Sequence, residues 1–396
     1  MLKPPKLSLY IHIPWCVQKC PYCDFNSHAL KSGIPEQAYI DALLEDLDQD
    51  LQRYQLSAPS SHDTSGQGQP RKLHSIFIGG GTPSLISPGE IKRLLDGVQA
   101  RLAFQPDIEI TMEANPGTIE AERFAQYRQA GVTRISIGVQ SFEQEKLTKL
   151  GRIHGSQEAI RAAHLAHQIG LNSFNLDLMH GLPGQTLSQA MADLDQAIDL
   201  DPPHLSWYQL TIEPNTLFYS QPPRLPDDDL LWDIFEQGHQ KLTQAGYIQY
   251  EISGYAKPGF QCQHNLNYWR FGDYLGIGCG AHGKISCANG SIIRTTKVKH
   301  PKGYLNLLKP YLDQEAEVSA KDRPFEFFMN RFRLIEPCPK QDFVDTTGLP
   351  LTTVQPTIDR AKQQGFLDET DLHWQVTERG KLFLNDLLAE FMADEE

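Results

Sequence analysis

Cys16, Cys20 and Cys23 stand in a C-x3-C-x2-C spacing within Tyr10-Ile-His-Ile-Pro-Trp-Cys-Val-Gln-Lys-Cys-Pro-Tyr-Cys-Asp-Phe25. Three thiolates on one short, proline-containing loop can converge on a soft metal centre. Iron–sulfur clusters are held by cysteine thiolates, and a four-iron cluster ordinarily takes four of them. No fourth cysteine follows, because Asp24 and Phe25 come next and Cys262 lies far along the chain. The spacing predicts a cluster with three protein ligands and one open iron able to bind a small molecule. Zinc is the first rival, with His12 or His28 completing a set of four ligands. Cysteines as small buried hydrophobes are the second.

Further polar groups stand where short apolar runs end. Ser75–Ile78 leads into Gly79-Gly-Gly-Thr-Pro83, and Ile108–Met112 into Glu113-Ala-Asn-Pro116. Arg134–Gly138 leads into Gln140, Ser173–Leu176 into Asp177 and His180-Gly-Leu-Pro-Gly184, and Leu205–Leu210 into Thr211-Ile-Glu-Pro214. Glycines let a backbone approach a ligand closely, so the run Gly79-Gly-Gly-Thr-Pro83, beside an open-iron cluster, is a candidate to receive the carboxylate and ammonium of an amino-acid-like molecule. Glu113 and Asp177 suit an ammonium or ribose hydroxyls, or else serve as solvated loop or capping groups. Gln140 and Arg152 are candidate clamps, since Arg favours a carboxylate.

The elements that must position these groups follow from the apolar rhythm. Counting Leu7–Ile13, six strand-like runs alternate with helical patterns, the first helix running from Glu36 to about Tyr54. Such alternation implies right-handed parallel crossovers, and barrel sites assemble at the C-terminal ends of strands. The predicted fold is α/β, a partial (β/α)6 TIM-like barrel over 1–225, with a doubly wound sheet as the competing geometry. Residues 57–72, rich in Ser, Gly, Gln and Pro, read as a mobile surface loop within it. A connecting region over 226–323 holds an aromatic segment. From 324 to 396, helix, short ribbon and helix predict an α+β winged-helix-like unit acting as scaffold or lid.

Bulk properties narrow the function. The chain has 396 residues, and 36 Lys+Arg against 49 Asp+Glu leave a net charge of −13. That acidity argues against a nucleic-acid footprint. Seven cysteines, three of them crowded together, suit a reducing cytoplasm rather than a disulfide framework. No targeting peptide and no transmembrane run are expected; peripheral membrane contact and a homodimer stay open.

The motifs together resemble the radical S-adenosylmethionine superfamily. Those motifs are the cysteine triad with Tyr22 before its last member, the triple glycine, Gly138-Val-Gln140-Ser-Phe142 and Asp177-Leu-Met-His-Gly-Leu-Pro-Gly184. More narrowly they resemble the branch related to oxygen-independent coproporphyrinogen III oxidase. The resemblance implies a 4Fe–4S cluster on Cys16, Cys20 and Cys23, with S-adenosylmethionine chelating the open iron. It also implies a pocket for that cofactor at Tyr10, Gly80, Gly81, Thr82, Glu113, Gln140, Arg152 and Asp177. Tyr22 would shield the adenine or the cluster, or simply pack. No catalytic residue is assigned.

Two departures from the oxidases matter. They carry a further cysteine where Phe25 stands here, and an extension before the cluster motif. Both departures resemble the haem-chaperone members of the branch, as does His264-Asn-Leu-Asn-Tyr-Trp269, an HNxxYW signature. Haem is then cargo, with His264 or Cys262 as axial ligand, haem-requiring apoproteins as acceptors and an electron donor for the cluster. A loop-capping His264 among packing aromatics is the plain alternative, and a zinc site from Cys262, His264, Cys279, His282 and Cys287 a weaker one. The function rivals are oxidative decarboxylation of coproporphyrinogen III and radical modification of RNA or protein.

Overall fold

The computed structural model describes residues 2–31, 33–56, 71–117, 121–306, 308 and 310–392. The loop expected at 57–72 lies outside the described residues except for Arg71 and Lys72.

Six strands follow the expected order. They are β1 (Leu7–Ile13), β2 (Leu73–Gly80), β3 (Phe104–Ala114), β4 (Arg134–Gln140), β5 (Ser173–His180) and β6 (His204–Gln209), each parallel to the next. Between them run α1 (Glu36–Arg53), α2 (Pro88–Arg101), α3 (Phe124–Ala130), α4 (Ser156–Gln168) and α5 (Leu187–Asp199). Each helix offers one apolar stripe; in α1 Tyr39, Ile40, Leu43, Leu47 and Leu51 are buried, at the spacing one helix face requires. β1 and β4 are buried along nearly their whole length, as parallel strands covered by helices must be, whereas the first half of β3 is half-buried or exposed.

The segment 226–323 does more than connect. After α6 (Asp228–Gln244), β7 (Ile248–Glu251) and β8 (Gly254–Ala256) extend the sheet antiparallel beyond β6. Then α7 (Gln263–Trp269) leads into β9 (Asp273–Ile277), which lies parallel to β1 on its free side. β10 (His282–Ser286), β11 (Ile292–Lys297) and β12 (Leu312–Glu317) continue from β9 as an antiparallel flank. Among the described residues the sheet has twelve strands in the order β12-β11-β10-β9-β1-β2-β3-β4-β5-β6-β8-β7 and two free edges, so the barrel is open.

The C-terminal unit holds α8 (Arg323–Arg331), α9 (Lys340–Thr347), α10 (Gln355–Gln363) and a small antiparallel sheet of Cys338–Pro339, Leu367–Glu369 and His373–Val376. Its core is aromatic, with Phe327, Phe328, Phe343 and Trp374 fully buried. Among the described residues no helix is long and apolar enough to cross a membrane.

Candidate cofactor cavity

Side chains alternate between the faces of a strand, and the inward set of each parallel strand ends polar. Glu113 of β3 sits opposite Ser136 of β4, Gly138 opposite Asp177 of β5, and Asp177 opposite Ser206 of β6. These residues, with Gly80, Gly81, Thr82, Gln140, Arg152 and Tyr208, line one cavity of about 670 Å³. The loop after β1 adds Cys16, Cys20, Tyr22 and Cys23 to the same wall. A flat sheet could not bring so many strand ends to one cavity; the curl of a partial barrel does.

The glycine run holds the cysteine loop in place. Gly81 N–H donates to Ile13 O and Thr82 N–H to Trp15 O, both at 2.7 Å, so the loop leaves β1 pinned to the end of β2. A Cβ on Gly81 would stand 2.5 Å from Trp15 O, and one on Gly80 (φ +116°) would stand 2.5 Å from the His12 ring. The packing of the chain alone thus requires these glycines. Gly80 N–H donates to Glu113 Oε2 at 2.9 Å.

Arg152 draws the other strand ends together. Its guanidinium donates to Asn115 Oδ1 (3.0 Å), to Gly138 O and to His154 Nε2, and approaches Cys20 Sγ at 3.8 Å. Burial, followed by the Arg152 charge, pushes His154 down to about 3, so it accepts as a neutral ring. Gln140 takes the left-handed backbone (φ 70°) where β4 shifts register against β5. That conformation costs a non-glycine residue about 1–2 kcal/mol, and here Gln140 Oε1 accepts from Tyr208 OH at 2.9 Å. Asp177 accepts from Ser136 Oγ (2.9 Å) and Asn175 Nδ2 (2.7 Å). Asn175 Oδ1 in turn accepts from the Nδ1–H of His204, whose Nε2 accepts from Tyr250 OH. Asn115, Ser136, His154, Asn175 and Tyr208 join the site without a motif to announce them. Strand alternation is the available sequence signal for Ser136 and Asn175.

Two half-buried carboxylates on one cavity favour a cation. Burial, and then the neighbouring Asp177, push Glu113 up to about 8, and burial raises Asp177 as well. The folded chain holds the Glu113 proton more tightly than the unfolded chain does. Stability therefore falls as pH rises from the ordinary glutamate range to about 8 and levels off above it. Glu113→Gln is expected to raise the melting temperature of the cofactor-free protein at about pH 8 and to change it little at about pH 5. An equal shift at both pH values would contradict this.

Two expected pocket residues do not line the cavity. Tyr10 lies behind it, donating to His12 Nδ1 (2.9 Å) while His12 Nε2–H donates to Asn26 O (2.9 Å); both ring nitrogens of His12 are therefore engaged within the protein. Tyr10 thus backs the ring that faces Gly80. His264 is 1% exposed, bonded through Nδ1 to Ser75 Oγ (3.0 Å), and pushed down to about 3 by burial. Two faces of α7 divide the HNxxYW residues: Asn265 and Trp269 line the cavity, whereas His264 and Tyr268 pack edge to face behind it. Cys262 is also buried, its thiol beside Glu109 Oε1 at 3.4 Å.

Among the described residues no three His, Cys, Asp or Glu side chains converge on a single-ion position. The set Cys262, His264, Cys279, His282 and Cys287 is not assembled; Cys279 Sγ instead meets Lys299 O at 2.8 Å. Cys16, Cys20 and Cys23 lie on one cavity wall, the soft donor set that an iron–sulfur cluster would take.

The Radical SAM superfamily pattern matches residues 10–197, and the HemN C-terminal domain pattern matches residues 318–383. The chain is 63% identical over 394 residues to the heme chaperone HemW of Escherichia coli (strain K12), covering 100% of both. It is 63% identical over 395 residues to the heme chaperone HemW of Haemophilus influenzae, again covering 100% of both. With that of Bacillus subtilis (strain 168) it shares 34% over 397 residues, covering 98% of this chain and 99% of the relative. Coproporphyrinogen III oxidase (HemN) from Escherichia coli has the same fold, with a TM-score of 0.80 at 22% identity, covering 98% of this chain and 90% of that one.

Proposed function

The chain belongs to the radical SAM superfamily, in the family of the heme chaperone HemW, and we propose on that footing that it is itself a haem chaperone. In this reading Cys16, Cys20 and Cys23 hold a 4Fe–4S cluster, S-adenosylmethionine occupies the adjoining cavity, and haem passes to haem-requiring apoproteins. The observation that carries it is the 63% identity along the whole of both chains with proteins of that name.

The residues of the cavity support each part. Three thiols lie on one wall, and Glu113 and Asp177 suit the ammonium and sulfonium charges of adenosylmethionine. Arg152 fixes the strand ends around them, and Tyr22, packed near Phe218, closes the wall beside Cys23. When bound, such a cluster supplies one-electron transfer and an open iron for ligation. An electron donor is then a required partner, and a reducing cytoplasm is the setting that suits seven free cysteines.

For haem, α7 offers the Trp269 face to the cavity. His264 and Cys262 lie behind that face, so ligation by either requires α7 to shift from β2. Decarboxylation of coproporphyrinogen III ranks behind, because Asp24-Phe25 follows Cys23 and the likeness to the oxidase is one of fold.

The test is haem transfer. After anaerobic cluster reconstitution, the protein is loaded with haemin and mixed with an excess of an apo-haemoprotein. Haem spectra are expected to form on this chain and then move to the acceptor. No uptake of haemin would overturn the reading.

A further inference from the structure

Another stretch of the cavity wall is built by two elements distant in sequence. α7 presents Asn265 and Trp269, one turn apart, and the chain after α8 presents Arg333. Backbone pairing places Arg333 there: Ile252 N–H donates to Arg333 O (3.1 Å), and Ile335 N–H to Tyr250 O (3.0 Å). Leu334 forms a bridge with Glu251 at the end of β7. The C-terminal unit therefore contributes a cation to the cavity.

The Arg333 guanidinium lies 4.6 Å from the centroid of the Trp269 ring. A guanidinium over an aromatic face keeps its N–H edge for acceptors in its own plane. Arg333 Nε and Trp269 Nε1 are both shut off from solvent and have no hydrogen-bond partner among the described residues. Buried donors left unmade are costly, so an acceptor brought to either would be stabilising. Glu251 shares the cavity, its carboxylate accepting from the Ser253 amide (3.2 Å); burial raises its pKa, while that amide and the Arg333 charge act the other way.

We propose that Arg333 and Trp269 form a carboxylate-binding subsite that holds an acidic side arm of a flat ligand. On the haem reading above, on which this inference rests, that arm is a haem propionate. The carboxylate of adenosylmethionine has the same chemistry, so the test separates the two sources.

The full-length, cluster-reconstituted protein is titrated anaerobically with haemin, with haemin dimethyl ester and with S-adenosylmethionine. Arg333→Gln is expected to weaken haemin binding roughly tenfold or more, the range of a charge-assisted hydrogen bond. The same variant should leave the dimethyl ester and adenosylmethionine unchanged. Trp269→Phe, which keeps a ring but removes the N–H, is expected to weaken haemin by a smaller factor. Equal haemin binding by parent and Arg333→Gln would overturn the subsite. So would equal losses for haemin and its ester, which report packing alone. A loss confined to adenosylmethionine would overturn the propionate assignment. A parent that binds the ester but not haemin would refute the subsite while sparing the haem reading; a parent that binds neither would sink that reading itself.

Discussion

Cys20→Ser is expected to abolish the visible iron–sulfur absorption of the reconstituted protein while leaving its far-ultraviolet circular dichroism intact. Cys20 is half-buried on the cavity wall, and its thiol approaches the Arg152 guanidinium at 3.8 Å. Serine fills nearly the same space, so little packing is lost. What is lost is the thiolate, the form in which cysteine ligates a metal. Cys16 is a poorer choice because it is buried at 8% exposure and packing would change with ligation. Cys287→Ser is the matched control: it is also half-buried but lies outside the cavity lining, and the cluster should survive its loss. A full cluster on Cys20→Ser would refute the three-cysteine assignment.

Lys297→Met is expected to destabilise the fold by about 3–5 kcal/mol, the cost of breaking a buried ion pair by removing one partner. Lys297 of β11 donates to Asp46 Oδ1 (2.5 Å) and Asp50 Oδ1 (2.7 Å) of α1, and the side chains are 1%, 0% and 3% exposed. Asp46 also accepts from Tyr304 OH (2.6 Å) and Gly278 N–H (3.1 Å). Without the ammonium, two carboxylates share a dry site. Adding Asp46→Asn and Asp50→Asn should restore much of the loss, since the charges then disappear together. Urea unfolding measures both; a triple variant no more stable than Lys297→Met would contradict the electrostatic account. The effect reaches the cavity, because Tyr39 of α1 donates to His12 O (2.7 Å) and accepts from Cys279 N–H (3.0 Å), next to the root of the cysteine loop.

The six parallel strands are legible in the sequence because each combines a continuous apolar run with a polar end. β9 is not, although it is parallel to β1 and as buried. It begins with Asp273, which reads as a loop residue until Lys284 (3.1 Å) and Arg71 (2.8 Å) are seen to pair with it. Its parallel neighbour β1 is distant in sequence, and strand pairing over such a separation leaves no local periodicity. The cavity carboxylates and Arg152 are legible from their place at or after strand ends. Tyr10 and His264 fall behind the cavity wall because a motif carries identity and spacing but not the direction a side chain takes. Arg333 escapes notice for a related reason: a bridge between Leu334 and Glu251, far apart in sequence, brings it to the barrel.

We propose that a cavity of radical SAM type here serves haem delivery. The most direct measurement is an anaerobic assay of the reconstituted protein, with adenosylmethionine and an electron donor, that follows coproporphyrinogen III and haem transfer in one preparation. The account predicts haem appearing on an acceptor apoprotein while coproporphyrinogen III is not consumed. Sustained decarboxylation without haem transfer would contradict it.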